Sequence, residues 1–140
     1  MNGFRKHLWQ SLKSRVFRRE YVSENVKTGV AMQIKAMRES RGWSQIDLAQ
    51  RSGKAQSAIA RLEDPDYGKF TIQTLLEMAD AFDVWLSVEF IAFSKGVTKT
   101  EDRSATALNA VAFDDDWEGR GASSPTSTLA SELIPLCHIR

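Results

Sequence analysis

The sequence predicts a mainly α-helical bundle ending in one β-strand and a mobile tail. Three observations carry that prediction. Apolar residues recur every three or four positions through most of residues 4–82, the period drops to two over residues 84–93, and apolar residues thin out beyond residue 94. With 140 residues, 42% hydrophobic and 26% charged, the chain holds one globular domain plus an arm or tail and is too short for a large multi-domain enzyme.

Phe4, Leu8, Leu12 and Val16 stand four apart with bases between them, which predicts a basic amphipathic helix over residues 4–20. A second helix is expected from about Glu24 to Arg41, with Val26, Val30, Ile34 and Met37 on one face and Gly42 placed to end it. Ser44 then restarts helix, because its hydroxyl can cap the first turn while Asp47, three residues on, returns the bond to the Ser44 amide. Gly53 supplies the positive φ of a tight turn, and Ala55–Leu62 form another short helix that must stop ahead of Pro65. Thr71 caps the next, in which Ile72, Leu75, Leu76, Ala79 and Phe82 keep the helical period. From Val84 the alternation puts Val84, Leu86, Val88 and Phe90 on one side and Trp85, Ser87, Glu89 and Ile91 on the other, as in a strand. A lone strand leaves its backbone groups unpaired, so it pairs with the same strand of a second chain or finds a partner protein. Residues 94–140 are expected to be largely disordered, with an acidic run at Asp114–Asp116 and a Gly/Ser/Thr/Ala-rich stretch from Gly119 to Ser131.

The net charge of +1 hides a strong division along the chain. Through Glu63 there are thirteen bases and five acids, giving +8; beyond it there are six bases and thirteen acids, giving −7. Such asymmetry fits a basic surface for nucleic acid or a membrane joined to an acidic remainder, or two ordinary solvated faces. Other classes are excluded more directly. A single cysteine, Cys137, forms no internal disulfide, and His7 and His138 are too few and too far apart for a metal cluster. The apolar stretch from Phe82 to Phe93 is interrupted by charge and falls short of the roughly 18 apolar residues of a membrane span. The first 19 residues hold six bases and no acid, but no apolar core or cleavage site follows to make them a targeting peptide. No cofactor is implied, and the expected location is cytoplasmic. Cys137 and His138, adjacent in the tail, lack the constraint a nucleophile and base require, and Asp114–Asp116 lacks calcium-loop spacing. An enzyme is therefore not expected.

The stretch from Gln45 to Leu62 resembles the helix-turn-helix of the lambda-repressor/Cro-like (XRE) family of regulators, through Gln45, Leu48-Ala49, Gly53, Gln56-Ser57, Ile59 and Leu62-Glu63. Ala49 is small where the second helix crosses, Gly53 turns the chain, and Leu48, Ile59 and Leu62 wedge the helices at their angle. The resemblance runs from about Val26 to Phe90. It implies a lambda-repressor-like bundle in which residues 24–93 bind DNA, flanked by a basic helix over 1–23 and an acidic tail over 94–140. The strand after the helical core is similar to that of antitoxin-like regulators of the HigA type.

Carried over by resemblance, Gln45 holds a phosphate at the start of the motif's first helix or is a solvated first-turn residue. Lys54, Gln56 and Ser57 open the recognition helix, where Gln56 can pair with adenine N6 and N7. Arg61 reaches guanine, a phosphate, or neither. Lys69, in the loop with Tyr67 and Gly68, touches the backbone across the groove or is plain solvated turn. Arg38 and Glu63 match a semi-buried ion pair of the family and are scaffold. Ala55 departs from the family's Ser or Thr, so the cap of the recognition helix is missing or its start is displaced by one residue. The expected function is a DNA-binding regulator, a repressor acting as a homodimer on double-stranded DNA, paired through the strand Val84–Phe93. The alternative is an antitoxin that sequesters a basic toxin protein and controls its own operon.

Overall fold

In the computed structural model, which describes residues 2–119, helix α1 covers Gly3–Ser11 and α2 covers Arg15–Ser40. The break expected near residues 21–23 falls instead at Leu12–Ser14. Nothing between Tyr21 and Ser23 interrupts a helix, whereas Ser14 caps α2 by accepting from the Phe17 amide at 3.3 Å. Arg18 secures the turn by donating to the carbonyls of Leu12 at 2.8 Å and Lys13 at 3.0 Å. At 26 residues, α2 is about 39 Å long and spans the domain.

Three shorter helices pack against its C-terminal half: α3 (Gln45–Ser52), α4 (Gln56–Leu62) and α5 (Ile72–Phe82). Ile34 and Met37 of α2, Leu48 and Ala49 of α3, Ile59 and Leu62 of α4, and Met78 and Phe82 of α5 form one buried cluster. Arg41, just past α2, donates to the carbonyls of Phe82 at 3.1 Å and Ala110 at 3.0 Å, tying three distant parts of the chain to the end of that helix.

Two expectations for the following segment need correction. No β-strand forms among the described residues. Val84 and Leu86 are half-buried, as the alternation requires, but Val88 and Phe90, expected on the same face, are exposed along with Trp85. Alternation supplies a face; a strand also needs a neighbour to take its N–H and C=O groups, and no described residues pair with 84–92 in this way. The second correction concerns the start of the tail. Residues 93–108 form α6 (Phe93–Glu101) and α7 (Ala105–Leu108). One apolar residue accounts for much of this: Val97 is 2% exposed and closes a second small core with Leu8 and Leu12. Polar side chains do the rest. Tyr21 meets Thr100 at 3.2 Å, Arg103 donates to Asn25 at 2.6 Å, and Gln33 donates to the Leu108 carbonyl at 3.1 Å.

Residues 111–119 belong to a second unit, in which α8 (Phe113–Gly119) opens with Asp114, Asp115 and Asp116 in its first turn. Cys137, His138 and most of the Gly119–Ser131 stretch lie outside the described residues.

Candidate nucleic-acid interface

The geometry of α3 and α4 is set by local chemistry at each end. Ser44 and Asp47 form a reciprocal capping box: the Asp47 amide donates to Ser44 Oγ at 3.1 Å, and the Ser44 amide donates to Asp47 Oδ2 at 2.7 Å. Those bonds to Ser44 hold the Asp47 carboxyl below its usual pKa. Gly53 ends α3 with φ at +66°, a conformation that suits glycine, and the next amide returns to the Ala49 carbonyl at 3.0 Å. Helix α4 starts at Gln56, one residue later than the sequence pattern indicated, and Ala55 in the cap position makes no side-chain bond. With Ile59 and Leu62 turned into the core, α4 presents Gln56, Ser57 and Arg61 to solvent on its other side.

A chain of hydrogen bonds crosses the motif beneath that face. Arg38 grips Glu63 with two bonds, Nε to Oε1 at 2.6 Å and Nη2 to Oε2 at 3.0 Å, and donates a third to the Trp43 carbonyl at 2.8 Å. The pair is largely enclosed, with side chains 11% and 4% exposed, and the Glu63 carboxylate raises the pKa of the guanidinium. Glu63 Oε2 also accepts from Gln45 Nε2 at 3.1 Å, and Gln45 Oε1 accepts from Gln56 Nε2 at 2.9 Å. Gln56 thereby uses one N–H and keeps an N–H and its carbonyl oxygen facing outward. One donor beside one acceptor is what the N7 and N6 edge of adenine requires.

The remaining candidate cations are placed differently from one another. Lys54 is bound by Glu77 of α5, which is also hydrogen-bonded by Gln73 at 3.3 Å. Lys54 first, and Gln73 after it, lower the Glu77 pKa. Arg61 and Lys69 are exposed. Lys69 sits in a loop turned by Gly68, whose φ is +55° and whose missing Cβ makes room for the Lys27 stem: a Cβ there would lie 2.6 Å from Lys27 Cδ. Sequence reasoning missed the Glu77 partner of Lys54, which lies on another helix with no spacing to reveal it. It also missed a stack in which Arg51 lies 4.1 Å over the Trp43 ring and Trp43 lies nearly parallel to Phe82 at 5.8 Å, locking the entry to α3.

Two short helices crossing over a shared core, with a polar exposed face on the second, define a helix-turn-helix. Residues 34–87 match the helix-turn-helix family model, and this part of the chain is similar to the DNA-binding domain of XRE, Cro/cI-like regulators. No curated protein and no solved structure matches the chain. Among the described residues, no helix is long and apolar enough to cross a membrane, and no group of three or more His, Cys, Asp or Glu is placed to hold a metal ion.

Proposed function

We propose that this chain is a sequence-specific repressor that inserts α4 into the major groove of its operator, as a homodimer with half-sites roughly 34 Å apart. The observation that carries this reading is the bonded series Arg38, Glu63, Gln45, Gln56, which holds the outward Gln56 amide against a largely enclosed ion pair. A side chain fixed in this way loses little freedom on binding, which favours base discrimination over general adhesion. Ser57 and Arg61 flank it on the same helix, and Lys69 lies in the loop beyond. Lys54 reaches a phosphate only by leaving Glu77. For dimer formation, Trp85, Val88 and Phe90 offer an exposed apolar segment next to α5; Trp85 is 91% exposed.

Selection of bound duplexes from a random pool tests specificity directly. With an operator in hand, Gln56→Ala is expected to lose about 1–3 kcal/mol at one operator position and to relax preference there. Equal losses on operator and random duplex would overturn the role given to Gln56. Affinity is also expected to fall steeply with salt, as counterions released by the basic half are recaptured.

A further inference from the structure

Helix α1 and the part of α2 before residue 34 lie outside the family match, and none of their side chains is given a DNA contact above. Around the turn between α1 and α2 the surface is concave: two adjoining grooves of about 460 and 540 Å³ share Arg18 and Phe93, the first residue of α6. Their floor is apolar, from Trp9, Leu12, Val22 and Phe93. Their rim is basic, from Lys6, Lys13, Arg15 and Arg19, and no acid lines either groove. Arg18 is committed to the Leu12 and Lys13 carbonyls, but the four rim bases have no ion-pair partner among the described residues.

An occupant must bring negative charge for the rim and an apolar group for the floor. A flat lipid surface does not enter a concave site. The backbone of duplex DNA supplies the charge but no apolar group. Helix α8 has both: Phe113 is 63% exposed, Asp114 and Asp115 are exposed beside it, and no base occurs between Phe113 and Gly119. We propose that this groove receives α8 of a second copy of the chain, with Phe113 on the apolar floor and Asp114 and Asp115 against Lys6, Lys13, Arg15 and Arg19. This contact does not depend on DNA binding and is separate from apolar pairing through Trp85 and Phe90. Its charged rim makes it sensitive to salt, whereas the apolar pairing is not.

Sedimentation of the full chain tests it. A larger species is expected at roughly 0.05 M salt than at roughly 0.5 M, where the Debye length has shrunk to about 4 Å. Arg15→Glu with Arg19→Glu, or Asp114→Lys with Asp115→Lys, each abolishes the low-salt species, and all four substitutions in one chain restore it by exchanging the charges. The restoring variant also separates loss of contact from loss of folding. The proposal is overturned if the full chain shows no salt-sensitive association, if either double variant keeps it, or if the fourfold variant fails to recover it. Unchanged association with weaker binding of random duplex by the Arg15/Arg19 variant would overturn it too, by showing the groove to be a nucleic-acid contact.

Discussion

The helix-turn-helix and the surface formed by α1, α6 and α7 sit on the same long helix and are held in opposite ways. At the C-terminal half of α2, side chains from four helices make one buried cluster, with an enclosed Arg38–Glu63 pair beside it. At the N-terminal half the buried cluster is a small one of Leu8, Leu12 and Val97, and cohesion comes also from scattered polar contacts such as Tyr21 with Thr100, Arg103 with Asn25 and Arg5 with Glu101. Half-buried or exposed polar contacts of this kind contribute less than a continuous apolar cluster, so the second region should open before the first. In our reading, the face that meets DNA is mounted on the more enclosed end of α2 and the groove that receives a second copy on the less enclosed end.

The largest expected effect tests the more enclosed end. Arg38→Ala leaves the Glu63 carboxylate enclosed without its cation and should lower stability by about 3–5 kcal/mol, read by thermal or denaturant unfolding. A loss under 1 kcal/mol would show that the pair is not what holds α2 to α4. Val97→Ala removes the central contact of the smaller core and should lower local stability by roughly 1.5–3 kcal/mol. Hydrogen exchange should then accelerate in α6 while α3 and α4 keep their protection; uniform acceleration would mean that the two regions unfold together. In the opposite direction, Ala55→Ser supplies the missing cap of α4 on an ordinary extended backbone and should add about 1 kcal/mol in denaturant unfolding; no gain would show that the start of α4 needs no side-chain cap.

The smallest expected effect is a pH dependence present in both regions. Asp47 and Asp102 have depressed pKa values, chiefly from backbone amides donated by Ser44 and Ser104 respectively. A folded pKa below the unfolded one means that each contributes stability above the ordinary carboxylate range, and that this is lost as pH falls through the folded value. Asp47→Asn should flatten the acid limb of the unfolding curve for α3, and Asp102→Asn should flatten that of the α6–α7 joint. An acid limb identical to the parent's in either variant would remove that carboxylate from the account.

Much of the motif was readable because its signals are local. Ser44 and Asp47 lie three apart, Gly53 needs only its own φ, and Thr71 caps the third residue beyond it at 3.1 Å. The break between α1 and α2 was misplaced although Ser14 is a good cap, because the apolar stripe Leu8, Leu12, Val16 continues through it. Segment 84–92 has the alternation of a strand and lacks only a partner, which no pattern within one segment can report. Helix α6 was missed for a related reason: a single valine carries its burial, and its other anchors are polar residues on α1 and α2.

By itself the sequence determined the helical class, the turn at Gly53, the capping box and the division into a basic half and an acidic half, since each depends on residues within a few positions or on composition. Tertiary structure alone decided that residues 84–92 stay unladdered, that Lys54 is held by Glu77, that Gln56 is bonded through Gln45 to Glu63, and that Phe93 floors a groove rimmed by bases from α1 and α2. Those outcomes join residues far apart in the chain, and only the path of the folded backbone brings such groups within bonding distance.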